Sequence, residues 1–291
     1  MTEPSVSPPR RIAVTFNPHH AGSHTVASNL VAAIKERGVE AIIDDETDVK
    51  AGLDGADLLI CLGGDGTVLR NSHRAVHAGV PLLGVNLGRL GFLTEFEGTQ
   101  IFERLGDVLE GKGRIEERSM LKATIPESPS QFVGLNEAAI GRATLSRAIH
   151  VAVDVEGTRI ADYRCDGVIV ATATGSTAYA LSVGGPILYP ESSDLVIVPV
   201  APHLAAQHAV LVPGSDRVRV TLEPGQQAVL SMDGTADYDL QERDSVLLSA
   251  AEHKARFLRF KPRTEFYVRM AAQLGWHRPG GNAGPLPPAA S

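Results

Sequence analysis

The sequence predicts an α/β region built on an open sheet, followed by a β-rich region arranged as a sandwich or stacked sheets. Three observations point there. Apolar strand-like runs alternate with amphipathic helical ones over the first third of the chain. From about Arg114 the rhythm changes to closely spaced β-type runs, and Gly, Pro and Asp punctuate these at turn positions, as in EGT, EPG and MDG. At 291 residues the chain has room for about two domains.

In chain order, Arg11–Phe16 reads as a strand and Ser23–Lys35 as a helix, with Ala27, Leu30, Val31 and Ile34 on one face. Val39–Ile43 is a further strand. The rhythm recurs as Leu58–Leu62 into Thr67–His77, and as Pro81–Val85 leading by a Gly-rich turn to Ile101–Leu109. Parallel strands need helical crossovers, so this spacing favours ligands held at the carboxyl ends of the strands. The β-type runs that follow are Arg118–Ile125, Gln131–Ile140, Ile149–Val155, Gly167–Ala171, Leu195–Val200, Arg217–Leu222, Ala228–Met232, Ser245–Leu248 and Ala255–Phe260. One helix-like interruption, Ser176–Val183, stands among them. Phe266–Leu274 reads as a short amphipathic helix. The boundaries expected are 10–113 for the α/β domain, 114–260 for the β-rich domain and 261–277 for the last helix, with 1–9 and 278–291 disordered.

Formal charge is −7, from 27 Lys and Arg against 34 Asp and Glu, with 43% hydrophobic residues, as in an ordinary soluble globular protein. No basic run offers the cationic face that nucleic acid requires. No segment approaches the ~18 apolar residues of a membrane span, and the start lacks a secretory signal. Two cysteines, Cys61 and Cys165, are too few for a disulfide framework or a Cys-based zinc site and read as small buried thiols. A reducing cytoplasm is the expected compartment.

The sharpest local feature is Gly63-Gly64-Asp65-Gly66-Thr67, directly after one strand and directly before a helix. Glycines there let main-chain N–H groups approach a diphosphate, and the helix start supplies unpaired donors. An aspartate inside such a loop repels phosphate unless it serves as general base toward a hydroxyl or as ligand to a phosphate-bound cation. A tight turn with left-handed glycines accounts for the motif equally well. A second Gly-rich stretch, from Gly84 to Leu93, opens at the same sheet edge, so the two loops should flank one crevice. Phe92 there can stack on a base or pack in the core, and Arg70 and Arg89 can fork onto phosphate oxygens or merely solvate a surface.

Asn136-Glu137 interrupts an otherwise apolar strand run, where neighbouring side chains point to opposite faces. The pair is either a satisfied structural network or a ligand grip. From Arg164 to Tyr179 the chain runs from an Asp-Gly turn through a strand to a Thr/Ser-rich helix start. Ser176 or Thr174 there is an ordinary N-cap, or these groups read the polar edge of a base. His20 and His24 have no acidic or Cys partner at ligand spacing. No P-loop and no G-x-S-x-G elbow is present.

Taken together, GGDGT at Gly63–Thr67, GRLGF at Gly88–Phe92, Asn136-Glu137 and DGVIVATATGSTAYALSVGGPI at Asp166–Ile187 resemble the NAD kinases, in order and spacing, from about Arg11 to Trp276. The resemblance implies a Rossmann-like N-terminal domain, a β-sandwich-like C-terminal domain and a last helix returning to the first. It implies a kinase acting on the 2′-hydroxyl of the adenosine ribose of NAD to give NADP. The donor would be ATP or polyphosphate with a divalent cation, Mg²⁺ by preference, carried mainly by the donor phosphates, and the assembly a homodimer or homotetramer. Asp65 matches the base toward the 2′-hydroxyl, and Gly63, Gly64, Gly66, Thr67 and Arg70 belong to the donor-phosphate side. Asn136 and Glu137 match the adenosine-holding pair; Thr174, Thr177, Ala178, Tyr179 and Ser182 match the adenine and ribose pocket, with Phe92 as its wall. Asp166 matches an aspartate at the nicotinamide end, in some members across a subunit interface. Ala173 stands where the family commonly has proline, and no Arg-Pro pair appears near Gln207-His208, which leaves that loop's contacts open. A lipid kinase would need a greasy acceptor pocket, which nothing suggests, and a non-catalytic dinucleotide sensor would bind NAD without making NADP.

Overall fold

The computed structural model describes residues 6–44, 53–88, 91–126, 128–144, 147–203 and 208–276. Arg89, residues 204–207 and the terminal segments 1–5 and 277–291, on which the sequence carried expectations, lie outside them. By contacts the chain forms two units, one ending at Phe260 and the other beginning at Lys261.

The first unit opens with β1 (Arg11–Phe16), α1 (Ser23–Lys35), β2 (Glu40–Ile43), β3 (Leu58–Leu62), α2 (Asp65–Ala78), β4 (Leu82–Asn86), β5 (Phe96–Glu97), α3 (Gln100–Glu103) and α4 (Leu105–Leu109). Strands β6 (Arg114–Arg118), β7 (Leu121–Thr124), β8 (Gln131–Gly134), β9 (Glu137–Arg142), β10 (Ile149–Val155), β11 (Thr158–Cys165) and β12 (Gly167–Ala171) follow. A 3-10 turn at Gly175–Thr177 and α5 (Tyr179–Ser182) lead to β13 (Leu195–Val200), β14 (Val210–Val212), β15 (Val218–Leu222), β16 (Ala228–Met232), β17 (Ala236–Leu240), β18 (Ser245–Ala250) and β19 (Ala255–Arg259).

The first sheet runs β2-β1-β3-β4-β19-β6, with β5 also on β4. All its pairings are parallel except β19 with β6. Strands β3 and β4 are buried at every position, which is why β3 reads as an unbroken apolar run and β4 carries a polar side chain only at its end, Asn86. Helix α1 buries Ala27, Leu30, Val31 and Ile34, each of the larger side chains contributing about 1.5–3 kcal/mol. From β1 the chain steps one way to β2 and the other way to β3, so the carboxyl ends of β1 and β3 diverge at a switch point where an α/β sheet receives ligands.

Two six-stranded antiparallel sheets, β11-β10-β15-β18-β7-β8 and β14-β13-β12-β9-β16-β17, make a sandwich. Its core joins Ile140, Val168, Val170 and Ile197 of one sheet to Val151, Val153, Val220 and Leu248 of the other. The outer side of β12 and β13 is covered as well, where Ala173, Ala180 and Leu188 pack on Ile169, Ala171, Val196 and Val198. That double cover explains the uninterrupted GVIVA run, whereas β15 alternates buried with partly exposed positions.

Several expectations are corrected. Arg114–Arg118 and Ala255–Arg259 pair with each other and enter the first sheet through Phe257 opposite Leu82, because strand alternation does not encode which sheet a strand joins. The run Arg118–Ile125 divides between β6 and β7. Gln131–Ile140 divides between β8 and β9, which lie in opposite sheets. Ile101–Leu109 and Ser176–Val183 each resolve into two short turns of helix. Strands β11, β14 and β17 were not anticipated; all three are sheet edges, where short or polar strands are the rule. Both cysteines are buried and neither forms a disulfide, and burial pushes the Cys165 thiol up to about 11.

The second unit carries α6 (Glu265–Gln273), where Phe266 meets Tyr267 edge to face and Glu265 accepts hydrogen bonds from Lys261 and Arg269.

Candidate active site

Strand β3 delivers the glycine loop to the switch point, and the Gly63 N–H donates to the Val85 carbonyl at 2.8 Å. Gly64 caps α2 in extended backbone, with nothing within 4 Å of the place a Cβ would occupy. The first amides of a helix have no intrahelical acceptor, so open space faces a ready set of donors. Asp65 is the first residue of α2, and its carboxylate is pinned by the second Gly-rich loop. The Phe92 N–H donates to Oδ2 at 2.8 Å and the Leu93 N–H to Oδ1 at 3.0 Å. A Cβ on Gly91 would lie 2.1 Å from Asp65 Oδ1, so only glycine admits the carboxylate there. Thr67 is buried against Gly63, Phe92 is half-buried, and Gly66 and Arg70 are exposed.

A second cluster of polar groups forms where the chain crosses from β8 to β9. Asn136-Glu137 is therefore not a pair inside one strand, as the sequence suggested, but the crossover between the two sandwich sheets. Asp233, a non-glycine residue at φ 52° in the turn between β16 and β17, holds it. Its carboxylate accepts from the amides of Leu135 (2.7 Å), Asn136 (2.8 Å) and Glu137 (3.0 Å). Thr172 adds a second clamp: its N–H donates to the Asn136 carbonyl, and its hydroxyl donates to the Leu135 carbonyl and accepts from the amides of Thr174 and Gly175. The Gly175 backbone rests on Asn136 so closely that a Cβ would lie 2.1 Å from its carbonyl oxygen. Of the two N-cap candidates, Thr174 takes the N-cap position but makes no side-chain cap bond; the Thr172 hydroxyl accepts from the turn's amides in its place, while Ser176 bridges the Ala173 carbonyl and the Leu188 amide.

Three polar atoms are left over. Asn136 Oδ1, Glu137 Oε2 and Thr174 Oγ1 are buried with no hydrogen-bond partner among the described residues. Burial, reinforced by the Asp233 charge, raises the Glu137 carboxyl to about 7, so near neutral pH it can both donate and accept. Thr177 and Ala178 are half-buried beside this crossover, and Tyr179 and Ser182 are exposed beyond it.

Helix α2 runs between the glycine loop and this crossover. It begins at Asp65, and His73, eight residues and so about 12 Å along it, places Nε2 3.5 Å from Asp233 Oδ2. Val68, Leu93 and Leu135 share one apolar cluster beneath both. Asp166 is not brought to them. It pairs with Arg142 at 2.9 Å, and the register Gly167 opposite Gly141 and Ala171 opposite Glu137 puts it at the far end of β12, roughly 20 Å from Thr172 at about 3.3 Å per residue. Asp233, Thr172 and His73 escaped the sequence reading; the MDG turn signalled a turn there but not its carboxylate's task. Among the described residues no cluster of three His, Cys, Asp or Glu side chains could hold a metal ion, and no helix is long and apolar enough to cross a membrane.

Residues 49–113 match the ATP-NAD kinase N-terminal domain and residues 135–260 the ATP-NAD kinase C-terminal domain. An NAD kinase of Chloroflexus aurantiacus is 36% identical over 270 residues, which is 91% of this chain and 98% of that protein. The chain belongs to the NAD kinase family. A second NAD kinase, of Dehalococcoides mccartyi, is 33% identical over 272 residues, 91% of this chain and 96% of that protein. Among solved structures, an NAD kinase from Archaeoglobus fulgidus in complex with ATP aligns with TM-score 0.75 and 27% identity over 90% of this chain and 97% of that one. Yeast NADH kinase complexed with NADH has the same fold, at TM-score 0.83 and 21% identity over 96% and 91% of the two chains. For a member of the NAD kinase family, the first matched segment carries both Gly-rich loops and the second begins at Leu135, whose amide Asp233 holds.

Proposed function

We propose that the chain transfers the γ-phosphoryl group of ATP to the 2′-hydroxyl of the adenosine ribose of NAD, giving NADP and ADP. The observation that carries this reading is the trio of buried, unpartnered oxygens on Asn136, Glu137 and Thr174. Buried polar atoms are otherwise hydrogen-bonded, and these suit the hydroxyls and ring nitrogens of an adenosine. Thr177, Ala178, Tyr179 and Ser182 line the approach, with Phe92 as the apolar wall.

In the transfer, O2′ bonds to the γ-phosphorus, the bridging P–O bond breaks toward ADP, and the hydroxyl proton passes to Asp65. A sugar hydroxyl is a far weaker acid than a carboxylic acid, so Asp65 accepts the proton late, as the O–P bond forms. Each Asp65 oxygen spends one lone pair on a main-chain amide and keeps another for that proton. Most of the acceleration then comes from alignment and charge neutralisation. Gly63, Gly64, Gly66 and Thr67 supply loop amides to the donor, and Arg70 an exposed guanidinium. The residues here offer one carboxylate and no cluster of ligands, which fits a divalent cation, Mg²⁺, carried mainly by the donor phosphates. When bound it neutralises phosphate charge. Inorganic polyphosphate presents the same anhydride to these amides and is a second donor.

Asp166 lies too far along β12 to serve its own chain's pocket, which supports a homodimer or homotetramer in which a second copy offers it to the nicotinamide end. Buried cysteines that form no disulfide and soluble substrates suit the cytoplasm. Incubating the purified protein with NAD, or NADH, together with Mg²⁺ and each donor, then resolving the products, tests the reading. NADP or NADPH formation is expected; tight NAD binding without product would make the chain a sensor instead.

A further inference from the structure

Behind the loop that pins Asp65 lies a buried ionic network that none of the binding roles above uses. Arg259, in β19, donates from Nη1 to the Leu93 carbonyl at 3.0 Å and from Nη2 to the Phe92 carbonyl at 3.4 Å. Arg118, in β6, reaches the same Phe92 carbonyl at 3.5 Å. Phe92 and Leu93 are the two residues whose amides hold Asp65, so both peptide faces of the loop are engaged, one by guanidinium and one by carboxylate. Glu116 fixes the arginines from behind, accepting on Oε1 from Arg118 Nε (2.9 Å) and Nη2 (2.8 Å) and from Arg259 Nε (3.1 Å). Arg114 also reaches it, at 3.3 Å, and Glu95 lies 3.4 Å from Arg259. The buried Phe257 ring packs against both like charges, with one guanidinium 5.0 Å and the other 5.1 Å from its centroid.

A buried network of this kind contributes little net stability compared with apolar packing, so its effect lies in the geometry it fixes. Burial alone would raise the Glu116 carboxyl, but Arg259 and Arg118 outweigh it and hold the group well below the usual carboxylate range. Burial, with the neighbouring Arg259 charge, pushes the Arg118 guanidinium down, and Glu116 and the Asp65 charge offset this only in part.

We propose that Arg259 and Arg118, anchored on Glu116, are positioning residues that set the Asp65 carboxylate by holding the Phe92 and Leu93 carbonyls. The inference rests on the reading of Asp65 as the acceptor's base. It makes two strands that pack at the far side of the first sheet responsible for aiming a side chain 53 and 194 residues away in sequence.

The test is a double-mutant cycle in the full chain, combining Arg259→Gln with Asp65→Asn and reading kcat and KM for NAD and ATP. Arg259→Gln should lower kcat by about 10²-fold with both KM values nearly unchanged, and this loss should vanish in the Asp65→Asn background. Equal losses in both backgrounds, or no loss in the single variant, overturn the proposal. If Arg259→Gln does not fold by circular dichroism, Arg259→Lys carries the same comparison with the charge retained and the fork lost. Failure of the underlying reading shows separately, as wild-type turnover in Asp65→Asn alone, which removes both claims.

Discussion

The two halves of the candidate site are finished to different degrees. Around Asp65 the protein satisfies the proposed catalytic group itself: two amides on two oxygens, with glycine making the room. Around Asn136-Glu137 the main chain is equally well held, by Asp233 and Thr172, yet three side-chain oxygens have no hydrogen-bond partner among the described residues. One half is pre-aimed for chemistry; the other keeps its hydrogen-bonding capacity for a ligand. Damage to the first should appear in kcat, and damage to the second in KM.

The sharpest break is Asp65→Asn, expected to lower kcat by about 10³-fold through loss of the base, while circular dichroism stays native because an amide oxygen still accepts one of the two N–H groups. Gly91→Ala comes next: its methyl occupies the carboxylate's place, and about 10²-fold in kcat should be lost with KM for NAD within a factor of about two. Steady-state kinetics in which KM moved instead would blur the division between the halves. On the other side, Thr174→Val should raise KM for NAD by about tenfold, one lost hydrogen bond being near 1.4 kcal/mol. Because its hydroxyl has no partner among the described residues, the same variant should unfold in urea at the wild-type midpoint or higher; clear destabilisation would mean that the oxygen was already satisfied.

The smallest effect is one of pH. Glu137 is raised from 4.5 to about 7 on folding, so the unfolded chain binds fewer protons between those values and ligand-free stability falls as pH rises through that window, levelling off above it. Glu137→Gln should flatten this slope and raise Tm near pH 7.5 by a few degrees, about 2–4 °C per kcal/mol. An unchanged slope in a pH series of melting curves would mean that Glu137 is not the group responsible.

Much of this was legible beforehand. Strands β1 and β3 and helix α1 stand where apolar periodicity put them, because burial on one helix face or both strand faces writes itself into residue type. The glycine loops were legible because their shape requires glycine. What periodicity could not reveal was long-range partnership. Nothing local in Arg118 or Arg259 distinguishes them from solvated arginines; their meaning comes from a strand pairing that brings positions 118 and 255 together. Asp233 reads as turn chemistry until its carboxylate is seen under the amides of residues 135–137. Strands β11 and β17 were silent because their polar, edge-lying residues lack the apolar signal on which strand detection depends, and β14 because three residues are too few to show a period.

The crossover at Leu135–Glu137 has one more consequence. It is the stitch by which the polypeptide leaves one sheet of the sandwich for the other, and its amides are tied to a turn of the second sheet. A nucleoside bonded to these side chains would act as a rivet through both layers. Amide exchange in β8, β9 and the Met232–Gly234 turn should therefore slow together when NAD binds, far beyond the atoms that touch it.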